Sequence, residues 1–129
     1  MTLGAVVAAN AAGDPDGVAY TGAGELTWAE YSARADALAA TLATRYERGA
    51  RVAVQMADGA AVHLAYLAAE RAGVVVVGIG SRAGAREVEH LVARTGAVDL
   101  LTELPAVDHG CAAVDPARAF TAEELWFLN

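Results

Sequence analysis

"VVVVGIGSRAGAREVEHL", residues 74–91, runs from four valines through a glycine-spaced turn into an amphipathic stretch. Continuous β-branched residues suit a strand covered on both faces, and the apolar positions after the turn recur at helical spacing. The stretch therefore predicts strand, turn and helix, with the helix stopped at Thr95-Gly96. Its turn also sets Gly78, Gly80 and Ala83 in the spacing G-x-G-x-x-A, and Glu103 stands at the end of the next predicted strand. In a dinucleotide-binding turn, such glycines let the backbone approach a pyrophosphate, the helix N-terminus favours its charge, and the acid holds a ribose. Three features oppose that reading. The motif lies in a second β-α-β unit, whereas the fingerprint opens its domain. Ser81, Arg82 and Gly84 make the turn longer and looser. Glycines that only permit a sharp strand-to-helix turn explain the same residues. A nicotinamide or flavin oxidoreductase is thus the weakest reading of the chain.

Upstream, "RVAVQM" (51–56) reads as a buried strand and "GAAVHLAYLAAERA" (59–72) as a helix, with Asp58 as its cap and Gly73 as its stop. Downstream, "AVDLLTEL" (97–104) supplies another strand. From 51 to 103 the order is β-α-β-α-β, which predicts the α/β class, a parallel sheet with flanking helices. Thr27 and Glu30 stand in a capping-box relation, so a helix starts at Trp28, places Tyr31, Ala35, Leu38, Leu42 and Tyr46 near one face, and closes at Gly49. Residues 3–12 predict a short helix stopped by Gly13-Asp14-Pro15-Asp16-Gly17, and 18–27 a hairpin around Gly22-Ala23-Gly24. Beyond Pro105 the pattern weakens to a short strand near "CAAVD" (111–115), a short helix near Thr121 and a last apolar strand, "ELWFLN". The expected parts are a helix–hairpin region at 1–27, an α/β unit at 28–104 and a tail at 105–129.

The 129 residues are one domain's worth, 56% hydrophobic and rich in alanine, with a net charge of −7. No basic block offers a nucleic-acid face. Cys111 is the lone cysteine, and His63, His90 and His109 are scattered, so no metal site is expected. "MTLGAVVAANAAGD" lacks the basic start of a signal peptide, and no run reaches the ~18 apolar residues of a membrane span. The expectation is a soluble, cytoplasmic protein. His63 fits a packed position, His90 a solvated one and Cys111 a buried small apolar residue. Trp28 and Trp126 fit the core, and Asp14, Asp16 and Asp58 fit turns and caps.

The span from Leu26 to about Thr102 resembles the N-terminal subdomain of the adenylate-forming, AMP-forming enzymes, the acyl-CoA synthetase branch in particular. "LTWAEYSARADALAATL" resembles that family's "LTYAEL…A…LA". "GARVAVQMADGAAVHLAYLAAERAGVVVVGIGSR" resembles "GDRVALLLPN…AYLAALRAGAVVVPLNPR", and "AREVEHLVARTGAVDLL" resembles "AEELAYILEDSGAKVLV". The resemblance implies that a carboxylic acid reacts with ATP to give an acyl-adenylate, which coenzyme A then takes as a thioester, with Mg2+ assisting. It also implies that "ELWFLN" leads into a Ser/Thr/Gly-rich phosphate loop. The phosphate loop, acid pocket and lysine-bearing lid then lie in a remainder of the same polypeptide or in a second chain. No catalytic or metal-binding residue falls within these residues, so the chain alone is expected to be inactive. Arg82 matches the arginine of the family's Pro-Leu-Asn-Pro-Arg turn and is the one candidate contact, to a phosphate of coenzyme A; pairing with Glu87 or Glu89 is its alternative. The other readings are a peptide-synthetase-type adenylation domain and a free-standing, non-catalytic binding module. Alone, the chain is expected to expose faces that a partner would cover.

Overall fold

The computed structural model describes every residue except Met1, Ala23, Leu125 and Asn129. Helix α1 (Leu3–Gly13) precedes an antiparallel pair, β1 (Val18–Tyr20) and β2 (Leu26–Thr27). The predicted capping box forms at the junction with α2 (Trp28–Arg45). Thr27 Oγ1 accepts the Glu30 N–H at 3.1 Å and Glu30 Oε1 accepts the Thr27 N–H at 3.0 Å, satisfying two amides that lack helical partners. Tyr31, Ala35, Leu38 and Leu42 make its buried face. The helix stops before Gly49: Tyr46 turns extended at its C-cap, and Gly49, at φ +87°, serves the turn into the next strand instead.

Strands β3 (Arg51–Val54), β4 (Val75–Gly78), β5 (Asp99–Leu101) and β6 (Phe127–Leu128) form one parallel sheet in the order β5-β3-β4-β6. Helix α3 (Ala60–Ala72) joins β3 to β4, and α4 (Ala85–Thr95) joins β4 to β5. Alternation along the strands sorts the core into two layers. Val52, Val54, Val74 and Val76 cluster with Leu38 and Leu42 of α2 and Val62, Ala65 and Ala69 of α3. Ala53, Val77 and Ile79 face the other way, against Val88, Leu91 and Val92 of α4. The two faces are not equally covered. Helix α4 has no buried residue, although Ala53, Val77 and Ile79 beneath it are buried.

The N-terminal part is tied to this unit by Glu70, which is only 2% exposed yet carries a carboxylate. Its Oε1 accepts the Gly4 N–H at 2.7 Å, so a side chain of α3 caps the start of α1, where negative charge is favoured.

The tail departs from expectation. "CAAVD" forms no strand; its start lies beside α2, where Asp108 N–H, just upstream, bonds Thr41 Oγ1 at 3.0 Å and Cys111 Sγ lies 4.0 Å from Thr44 Oγ1. Thr121 lies outside any helix; the turn is a short 3-10 helix at Pro116–Arg118, capped by Asp115. Asp58 does not cap α3 either. Gly59 occupies that position without a side-chain bond, leaving Asp58 exposed. Arg48 makes a two-pronged pair with Glu124 at 2.9 and 3.0 Å and lies 4.9 Å over the Phe120 ring. Arg118 donates to the carbonyls of Ala72 and Tyr46. The tail is thereby fastened to the end of α3.

Tyr46 donates to Asp99 Oδ2 at 2.5 Å, and burial followed by that bond pushes its phenol up to about 12. The raised value means that the fold holds the proton, so this stabilisation is complete below the ordinary tyrosine range near pH ~10 and is lost as pH climbs through about 12. Urea midpoints of the protein and of Tyr46→Phe, compared at neutral pH and at the alkaline end of that window, should show the advantage of Tyr46 shrinking as pH rises. An advantage constant with pH would contradict this.

Candidate functional site

In an open parallel sheet, ligands bind beyond the carboxyl ends of strands whose connections leave to opposite faces. The connection after β3 turns to the α3 face and that after β4 to the α4 face. Between the parting loops lies an open crevice of about 370 Å³. Met56 and Asp58 line it after β3, Gly78 to Ser81 after β4, with Tyr66 from α3 and Phe127 from β6. The Tyr66 ring meets Phe127 edge-on at 5.1 Å and His63 edge-on at 6.2 Å. Burial, and next the negative charge of Asp58, raise its phenol above the ordinary value. Tyr66 is therefore a neutral hydrogen-bond donor at neutral pH.

The dinucleotide pattern does not become a dinucleotide site. Helix α4 starts only at Ala85, after a six-residue turn from the end of β4 at Gly78. Neither Gly78, Gly80 nor Gly84 has a positive φ, and a Cβ on Gly80 or Gly84 would meet nothing within 4 Å. Most decisively, β5 pairs with β3 rather than with β4. Glu103, beyond β5, is thus displaced from the turn by two strand spacings, roughly 10 Å, where the fingerprint needs an adjacent strand.

Arg82 is exposed at the crest of this turn. Among the described residues the ion pairs are Arg34–Glu30, Arg48–Glu124 and Arg71–Asp36, so neither Glu87 nor Glu89 engages Arg82. Beneath it, Gln55 Nε2 donates to the carbonyls of Gly80 and Ala83, each at 3.1 Å. Sequence reading passed over Gln55; its signal was an amide interrupting an apolar strand.

The other residues considered above fall elsewhere. His63 packs at 5.0 Å from the Tyr20 ring, while His90 and His109 are exposed. Cys111 is half-buried with Thr44 Oγ1 at 4.0 Å, and no hydrogen bond joins it to His109 among the described residues. Trp28 and Trp126 are half-buried against the core. Among the described residues, no three His, Cys, Asp or Glu side chains gather as a metal site. None of the described helices is long and apolar enough to cross a membrane.

These features define an α/β subdomain with a ligand crevice at its strand ends. Solved structures share this fold. The N-terminal subdomain of Klebsiella oxytoca NpsA, in complex with 3-hydroxyanthranilyl-AMSN, matches 78% of this chain with a TM-score of 0.71 and 24% identity. The N-terminal domain of FACL13 from Mycobacterium tuberculosis matches 75% with a TM-score of 0.69 and 25% identity. The fatty acid AMP ligase of Legionella pneumophila matches 78% with a TM-score of 0.69 and 24% identity. The chain covers 26%, 25% and 19% of those three chains, respectively. No curated protein matches the sequence. The model of the AMP-binding enzyme family matches residues 7–125, and the chain belongs to that family.

Proposed function

We propose that this chain is the opening part of the N-terminal domain of an AMP-forming acid–CoA ligase. In the first step a carboxylate oxygen attacks the α-phosphorus of ATP and pyrophosphate leaves. In the second, the coenzyme A sulfur attacks the acyl carbon and AMP leaves. Mg2+, when bound, offsets phosphate charge. The acid, ATP and Mg2+ are held by parts of the enzyme outside this chain, in the same polypeptide or a partner chain.

The observation that supports coenzyme A as acceptor is Arg82, an exposed guanidinium with no acidic partner among the described residues, which follows directly on the Gly78–Ser81 stretch that lines the strand-end crevice. A planar guanidinium can grip a phosphate with two parallel bonds. The likeness to NpsA, which has been studied as an adenylation domain fused to a PCP, supports a second reading in which a carrier protein is the acceptor.

The test supplies the protein that carries this chain with ATP and a panel of acids, and compares thioester formation on free coenzyme A with that on a phosphopantetheinylated carrier protein. Free coenzyme A is the expected acceptor. Arg82→Ala should raise the KM for coenzyme A about tenfold, the loss of one charge-assisted phosphate contact, with a much smaller change in the KM for the acid. Thioester formed only on the carrier, or a KM for coenzyme A indifferent to Arg82, would overturn the proposal.

A further inference from the structure

We infer that Gln55 is a positioning residue for Arg82, acting through the backbone of the turn between β4 and α4; this rests on the reading of Arg82 given above. The turn carrying Arg82 has little to stiffen it. Where the family pattern has Pro-Leu-Asn-Pro-Arg, this chain has Gly78-Ile79-Gly80-Ser81-Arg82. Two residues with φ fixed by a ring are replaced by a glycine and a serine, and a second glycine stands in the middle. At the same time, a leucine of the pattern's "RVALLLPN" is replaced by Gln55 at the end of β3.

The two departures meet in space. Gln55 Nε2 bonds the Gly80 and Ala83 carbonyls at 3.1 Å each, on either side of Arg82. Because both partners only accept, the group facing them must be the amide nitrogen, which has two hydrogens to give. Gln55 is itself anchored, since its own N–H bonds the Leu101 carbonyl of β5 at 2.9 Å. Ile79 N–H holds the start of the turn to the Val54 carbonyl at 3.0 Å, and Ala83 N–H closes it on Gly80 at 3.0 Å. Among the described residues, no other side chain is hydrogen-bonded to Gly80–Gly84. A side-chain amide thus does here what ring constraint does in the family pattern: it gives the arginine a fixed base.

The test compares the protein with Gln55→Ala, Gln55→Glu, Arg82→Ala and the Gln55→Ala/Arg82→Ala pair. Gln55→Glu keeps the length and removes both donors. Amide hydrogen exchange should quicken tenfold or more in peptides covering 79–84 in both Gln55 variants, with β3 and α3 peptides unaltered. The KM for coenzyme A should rise about fivefold in Gln55→Ala, and that rise should vanish when Arg82 is already alanine, because the amide acts only through the arginine. Unchanged exchange in the turn overturns the positioning role. So does a KM penalty that persists undiminished in the Arg82→Ala background. An Arg82→Ala variant with a normal KM for coenzyme A would refute the Arg82 reading separately, and the exchange arm would then decide alone whether Gln55 holds the turn.

Discussion

Gly73→Ala is expected to remove about 3 kcal/mol or more of stability, a large share of the ~5–15 kcal/mol that holds an ordinary domain folded. Gly73 ends α3 in the left-handed region, at φ +70° and ψ +34°, where its N–H reaches back to the carbonyls of Ala69 and Glu70. An L side chain there costs about 1–2 kcal/mol before any contact is considered. Contacts make it worse. A Cβ would fall within van der Waals contact of the Arg118 carbonyl oxygen and 2.8 Å from Arg48 Cγ. Arg48 can swing aside, but Arg118 cannot move its carbonyl alone, because its guanidinium holds Ala72 and Tyr46. The Gly73 carbonyl also accepts the Gly49 N–H at 2.7 Å, so a shift would spread to the turn before β3. Urea denaturation of the variant measures the loss. A cost of only about 1–2 kcal/mol, the strain alone, would show that the tail does not sit against α3.

Leu67→Ala is expected to cost about 2–5 kcal/mol, the range for a large core side chain truncated where neighbours cannot collapse. Leu67 is fully buried and shares its cluster with Val7 of α1, Leu26 of β2 and Tyr31 of α2. It is thus the point at which α3 holds the N-terminal helix and hairpin. The Tyr31 hydroxyl bonds the His63 carbonyl at 3.1 Å, which limits how far α2 can move in to fill the space. The lost stability should appear in denaturation, with the α1 and hairpin amides losing exchange protection before those of β3 and β4. Loss of protection spread evenly over the chain would contradict this view of Leu67.

What could be read in the sequence was what depends on neighbours a few positions apart. The capping box at Thr27 and Glu30, the glycine stops at Gly73 and Gly96, and the valine run of β4 all formed. In the tail the last strand formed, but the elements read near "CAAVD" and Thr121 did not: the segment is placed by contacts to distant groups, such as the Thr41 hydroxyl and the Glu70 carbonyl, that no local pattern announces. The sequence already weighed against the glycine fingerprint, and the strand order supplies the further reason. Spacing puts Glu103 one strand after the turn, but only strand order reveals that β3 intervenes. Arg82, whose role is the proposal made above, was singled out through the family pattern. Gln55 was not, because its value lies in two carbonyls 25 and 28 positions away.

The central claim is that this chain belongs to an enzyme that activates an acid as its adenylate, and acid-dependent exchange of labelled pyrophosphate into ATP tests it most directly. The protein that carries this chain should catalyse exchange only when a suitable carboxylic acid is present, before any coenzyme A is added. No exchange above background across aliphatic and aromatic acids, from folded protein supplied with ATP and Mg2+, would contradict it.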